Sequence, residues 1–187
     1  MNRILFIRHG ATAGNLQKRY IGRTDEPLCR QGVEQVLKLR GRALQTDFLF
    51  VSPMRRTRQT AALLFPRTAG VVVEGFSETD FGIFEGKTAQ ELAASPEYQE
   101  WVGSMCLAPI PGGESVSAFK QRCCDAFSAV MAEVPEGARA AFVIHGGVIM
   151  AILEALGQPP HEFYDYHIGN GQMISCLYRD KCIFLEE

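Results

Sequence analysis

The chain of 187 residues is long enough for one domain, or one domain with a small appended lobe, and buries a core without disulfides or a structural metal. Its 47% hydrophobic and 21% charged residues are ordinary globular composition, which excludes disordered and fibrous classes. Lys+Arg 19 against Asp+Glu 21 gives a net charge of -2, which excludes a chain-wide basic surface for nucleic acid but leaves room for a local cationic pocket. No apolar run reaches membrane-spanning length, and the first, within Met1–Gly10, is too short for a secretory signal. Six scattered cysteines (Cys29, Cys106, Cys123, Cys124, Cys176, Cys182) form no C-x-x-C pair, which reads as reduced thiols of a soluble cytoplasmic protein.

In chain order, Ile4–Ile7 is a short apolar run without polar alternation, the pattern of a strand buried on both faces. A helix follows over Gln31–Leu44, where Val33, Val36, Leu37 and Leu44 recur near a 3.6-residue period. Phe48–Val51 is a second buried strand, Met54–Phe65 a helix, and Val71–Val73 a third buried strand. The rhythm breaks from Thr88 to Gly113, where Ser95-Pro96, Trp101 and Pro109-Ile110-Pro111-Gly112-Gly113 suit an insertion folded over one end of the sheet. A helix over Ser115–Val134, a strand over Ala141–Ile144 and a helix over Gly147–Leu156 restore it. Met173–Tyr178 and Cys182–Leu185 close the chain as a hairpin turning at Arg179-Asp180-Lys181. The expectation is a single α/β domain over 1–187: a three-layer α/β/α sandwich with a mostly parallel sheet and residues 88–113 as a helical lid.

In open α/β sheets ligands bind beyond the carboxyl ends of the strands. Arg8, His9 and Gly10 follow the first strand, with Thr12 and Asn15 close behind. Ser52 and the pair Arg55-Arg56 follow the second, Glu78 and Asp80 the third, and His145, Gly146 and Gly147 the fourth. A single histidine at a strand end is ordinary. Two of them, each before a glycine that lets backbone approach a ligand, with an Arg-rich junction between, describe an oxyanion site, most simply for phosphate. The run Gly82–Thr88 looks like a nucleotide-binding loop but has three residues between its glycines where four are needed, and places Glu85 against the phosphates.

Five segments in order then resemble the histidine phosphatase, or phosphoglycerate-mutase-like, superfamily. They are Arg8–Asn15, Ser52–Thr60, Glu78–Gly86, Pro111–Ser115 and Val143–Gly147, with Pro27-Leu28 and Gly32 between the first two. Ala11 departs from the Glu often found there, and Cys29 from the usual Ser or Thr that caps the next helix. The resemblance implies that His9 is the nucleophile, held neutral by Arg8 and Arg56, and that Arg8, Arg56 and His145 clamp the phosphoryl oxygens. It implies Asn15, Thr12, Arg23 and the Gly146 N–H as further substrate contacts, and Glu78 as the group that protonates the leaving alcohol and then activates water. Glu85 reads as a support for the loop. Lys18, Arg19 and Arg23 are read either as a solvated loop or as contacts to a second anionic group. No metal and no cofactor is implied, the partner being a small phosphorylated substrate rather than nucleic acid or membrane.

Within the family, mutases that must exclude water carry longer insertions, so the short 88–113 excursion implies a phosphatase. Overall size and Pro111–Ser115 are similar to the α-ribazole phosphatase group of cobalamin assembly, which implies α-ribazole 5′-phosphate as substrate. The alternatives are a bisphosphate-dependent mutase and a module that binds a phosphorylated ligand without turnover.

Overall fold

The computed structural model describes residues 1–40 and 45–186. Its strands are β1 (Asn2–Arg8), β2 (Phe48–Val51), β3 (Val71–Val72), β4 (Arg139–Ile144), β5 (Gly157–Gln158), β6 (Met173–Arg179) and β7 (Cys182–Leu185). Its helices are α1 (Ala13–Leu16), α2 (Arg30–Leu39), α3 (Arg55–Leu64), α4 (Ala89–Leu92), α5 (Pro96–Gly103), α6 (Val116–Ala132) and α7 (Gly146–Leu156). Together they make an α/β fold on one mixed sheet, ordered β3-β2-β4-β1-β6-β7-β5. The run β3-β2-β4-β1 is parallel, β6 is antiparallel to both β1 and β7, and β5 is parallel to β7.

Strand parity assigns the two faces. Ile4 and Phe6 of β1, Phe50 of β2, and Ala140, Phe142 and Ile144 of β4 pack with α6 and α7. Ile7, Leu49, Val51, Ala141 and Val143 point the other way, onto α2 and α3. Side chains alternate along a strand, so continuous apolar runs are what a sheet covered on both faces requires. Buried aromatic rings fill the first face, with Phe142 stacked 5.1 Å from Phe50 and tilted against Phe6 and Phe127.

Two expectations need correction. The third strand is not buried: Val71 and Val72 are 56% and 49% exposed. It pairs only with β2 at the outer edge of the sheet and is two residues long. The helix expected over Gln31–Leu44 is Arg30–Leu39, and Leu44 lies outside the described residues. Elsewhere the helices fall within two residues of their expected ends. The terminal hairpin turns at Asp180 and Lys181, both at positive φ (51° and 60°), the type I′ geometry that matches strand twist. Cys29 still caps α2, its Sγ accepting from Gly32 N–H at 3.4 Å. No helix among the described residues is long and apolar enough to cross a membrane.

Residues 88–113 fold as α4 and α5 around a small core of their own: Leu92, Tyr98, Trp101 and Ile110 with Phe84. Tyr20 leans into it, 5.6 Å from Trp101 edge-on and hydrogen-bonded to the Tyr98 hydroxyl at 2.8 Å. The insertion therefore packs on the loop that follows α1, next to the carboxyl ends of the parallel strands.

Candidate active site

Register brings the two histidines together. Arg8 of β1 pairs with Ile144 of β4, so His9 and His145, the next residues, leave adjacent parallel strands side by side. Their rings lie 5.1 Å apart at 68°. The chain after β1 returns through α2 on one face of the sheet, and the chain after β4 through α7 on the other. The crevice at such a divergence is where open α/β sheets bind ligands.

Both histidines are buried, His9 at 3% exposure and His145 at 0%. His9 Nδ1 lies 2.7 Å from the Gly10 carbonyl, which only accepts, so Nδ1 carries the proton and Nε2 keeps its lone pair. Burial first, then the Arg56 charge, hold the His9 pKa well below the ordinary imidazole range, with the Gly10 hydrogen bond opposing them and the Arg8 charge adding to them. Burial, Arg56, His9 and Arg8 do the same to His145. His145 Nε2 meets the Ser52 hydroxyl at 2.7 Å, and that oxygen also accepts from Met54 N–H. When the Ser52 hydroxyl donates to Nε2, the ring proton of His145 is on Nδ1.

Arg56, on the first turn of α3, is fully buried. Its Nη1 donates to the Thr24 carbonyl and its Nη2 to the Gly22 carbonyl, each at 2.8 Å. Arg8 Nη1 donates to the Ile168 carbonyl at 2.6 Å. These anchors leave other nitrogens free. Among the described residues, four buried side-chain nitrogens lack a partner, and three of them are Arg8 Nε, Arg56 Nε and His145 Nδ1. Orphaned buried donors are costly unless a ligand meets them, and an oxyanion is the kind of ligand that accepts from guanidinium and imidazole N–H groups. No group of three or more His, Cys, Asp or Glu at metal-binding distance occurs among the described residues.

Glu78 completes the ring of groups. Its carboxylate accepts from Gly147 N–H at 3.1 Å and from Thr79 N–H at 3.0 Å, at the positive end of α7. A Cβ at Gly147 would stand 2.5 Å from Glu78 Oε1, so only glycine lets the carboxylate sit there. His9, His145, Arg8, Arg56, Glu78 and Gly146 are thus brought to one place, with the Arg8 guanidinium against the Gly146 backbone.

The other expected contacts divide. Thr12 is buried as the N-cap of α1, its hydroxyl accepting from Asn15 N–H, while Asn15 Oδ1 accepts from Thr12 N–H. Both hold the loop behind His9. Arg23 stays outside the cage, 59% exposed at its side chain and 3.6 Å from Asp80. Glu85 supports the loop as expected: it accepts from Gly22 N–H, Arg23 N–H and the Thr24 hydroxyl, fixing the carbonyls that hold Arg56. Sequence reasoning missed two positioning groups. Asn170 Nδ2 donates to the His9 carbonyl and Asn15 Oδ1, both at 3.2 Å, and Ser52 orients His145. The segment Gly169-Asn170-Gly171 carried only a turn signal, since nothing local says which strand end it reaches.

The family profile described as Histidine phosphatase superfamily (branch 1) matches residues 4–187. A Salmonella typhi protein named "Probable phosphoglycerate mutase GpmB" is 28% identical over 166 residues, covering 85% of this chain and 77% of that protein. The crystal structure of the alpha-ribazole phosphatase from Shigella flexneri superposes with a TM-score of 0.88 at 25% identity, covering 98% of this chain and 94% of that one. The phosphoglycerate mutase from Thermus thermophilus gives 0.73 at 27% identity, covering 97% and 95%. With a profile match across nearly its whole length and the two-histidine, two-arginine cage in place, the chain belongs to the histidine phosphatase superfamily.

Proposed function

We propose that the protein is a metal-independent phosphomonoesterase that hydrolyses a small phosphorylated metabolite through a phosphohistidine at His9, with α-ribazole 5′-phosphate as its substrate. The observation that carries this reading is the set of orphaned donors, Arg8 Nε, Arg56 Nε and His145 Nδ1, around a histidine whose Nε2 is unprotonated. Nε2 attacks phosphorus in line with the leaving oxygen, and the P–N bond forms as the P–O bond breaks. The ring becomes cationic on phosphorylation, and its Nδ1–H stays against the Gly10 carbonyl, which stabilises that charge. The guanidinium and imidazole donors hold the equatorial oxygens, supplying the positive charge that a metal supplies in other phosphoryl-transfer enzymes. Glu78 gives its proton to the departing alkoxide. As a carboxylate it then takes a proton from the water that attacks the phosphohistidine, which restores His9 and releases phosphate.

Hydrolysis rather than transfer is supported by the lid, which is only two helices of four and eight residues. The ribazole assignment is supported by the fold likeness to the Shigella phosphatase over nearly the whole of both chains. The rival reading, a mutase, is favoured by the names of the Salmonella and Thermus relatives. One experiment separates them. Protein mixed with α-ribazole 5′-phosphate and quenched should hold acid-labile, base-stable phosphate that His9→Ala abolishes, and should turn over to free phosphate. Given 3-phosphoglycerate and catalytic 2,3-bisphosphoglycerate, it should release phosphate faster than it forms 2-phosphoglycerate. The opposite ranking, or acid-stable phosphate on a serine, overturns the reading.

A further inference from the structure

Glu78 lies in a stretch without regular secondary structure, between the 3₁₀ turn Glu74–Phe76 and the 3₁₀ turn Gly82–Phe84. A group that must hand a proton to one oxygen of a bound substrate needs its backbone held, because a displacement of about 1 Å costs on the order of 10²-fold in rate. What holds this backbone lies on another element. Arg122, near the first turns of α6, donates from Nη1 to the Gly75 carbonyl at 2.8 Å and to the Ser77 carbonyl at 2.9 Å. Its Nε and Nη2 donate to the two oxygens of Glu114, at 2.9 and 2.7 Å. A guanidinium has five N–H donors, and the side chain thus uses four of them in a forked grip.

Glu114 closes the clasp from the far side. Its backbone N–H donates to the Asp80 carbonyl at 3.0 Å, so one residue pair grips the chain at 75 and 77 before Glu78 and at 80 after it. The preceding Gly113 permits that approach, since a Cβ there would stand 2.5 Å from the Asp80 carbonyl oxygen. Beneath the guanidinium, 5.4 Å away, is the Phe119 ring, which also packs against the start of α7, where Gly147 N–H binds the Glu78 carboxylate. Guanidinium, ring, helix start and carboxylate form one contiguous stack. Both partners are largely covered, with side-chain exposures of 25% for Arg122 and 15% for Glu114.

We propose that Arg122 and Glu114 are a positioning pair for Glu78, fixing where its proton is delivered without touching the phosphoryl group. The inference rests on the reading of Glu78 as proton donor. It also accounts for Pro111–Ser115, a motif that the phosphate cage does not use.

The test uses the full chain, single-turnover phosphoenzyme formation, and two substrates that differ in their need for a proton. An alkyl phosphate leaves as a strongly basic alkoxide, whereas para-nitrophenolate leaves nearly unaided. Arg122→Lys keeps the charge that faces Glu78 and His145 but cannot reproduce the fork, so it isolates geometry from electrostatics. It should slow phosphoenzyme formation from the alkyl phosphate by about 10–10²-fold and from para-nitrophenyl phosphate by less than about threefold, with half-saturating concentrations unchanged. Glu114→Gln should give the same pattern more weakly, and decides the matter if Arg122→Lys does not fold. In the Glu78→Gln background neither substitution should slow the alkyl substrate further.

Equal slowing of both substrates by Arg122→Lys, or a full additional loss in the Glu78→Gln background, overturns the pairing while leaving Glu78 as donor. A Glu78→Gln protein that slows both substrates equally overturns the donor assignment and the pairing with it.

Discussion

A buried histidine between two guanidinium groups has one protonation state open to it, and that state is the nucleophilic one. At His9 the Gly10 carbonyl fixes the tautomer as well, so desolvation, charge and a single hydrogen bond together leave Nε2 unprotonated. Arg56 is the more demanding neighbour. It is fully buried, and with Nη1 and Nη2 bonded to the Thr24 and Gly22 carbonyls its Nε is the nitrogen left without a partner. Arg56→Lys keeps a charge but loses the planar fork, and should lower kcat by about 10²–10³-fold, comparable to losing one preorganised donor at an oxyanion. Steady-state kinetics on para-nitrophenyl phosphate check this, and an unchanged kcat would mean that Arg56 serves only to hold the loop. Arg8, His9, Arg56 and His145 were legible because each follows an apolar strand. Ser52, Asn170 and Arg122 were not legible as positioning groups, because their partners are 93, 161 and 45–47 residues away and no local pattern names them.

Among the elements, the central strands and long helices announce themselves and the margins do not. Two-sided burial writes a continuous apolar run, and β1, β2 and β4 carry one. The same composition at Val71–Val72 belongs to an exposed edge strand, since an apolar dipeptide does not say whether a helix will cover it. The 88–113 excursion was legible as a break in rhythm but not as a second core. Phe84, Leu92, Tyr98, Trp101 and Ile110 bury one another apart from the two clusters that flank the sheet. Trp101→Ala should therefore remove about 3–5 kcal/mol of local packing. Because that core is separate, amide exchange across α4 and α5 should accelerate while β1 and β4 keep their protection. Hydrogen-exchange mass spectrometry reads this directly, and a uniform loss of protection would show that this small core is continuous with the main one.

For the molecule as a whole, the two buried imidazoles link stability to pH. An unfolded chain protonates histidine near pH 6.5, whereas burial and the flanking arginines depress both folded pKa values. Over the interval between, the unfolded state binds more protons, so the imidazoles' contribution is complete above about pH 6.5 and falls as pH drops toward their folded values. Two sites give a slope of about 2.7 kcal/mol per pH unit, or roughly 5–10 °C in Tm per unit below pH 6 for a chain this size. Scanning calorimetry from pH 8 to 5 should show this decline, with about half the slope in His145→Gln, and a flat Tm would mean that the imidazoles are not held neutral. The sequence alone determined the alternation of buried strands and amphipathic helices, the end of the sheet at which the candidate site gathers, and the residue types found there. Those are local properties, set by side-chain periodicity and by what directly follows a strand. The tertiary structure alone decided which strand lies at the edge, which carbonyls consume the guanidinium donors and which nitrogens are left over. It also decided that a clasp from α6 holds the proposed acid. Each of these depends on contacts between residues far apart in the chain, where register and packing rather than neighbouring sequence select the partner.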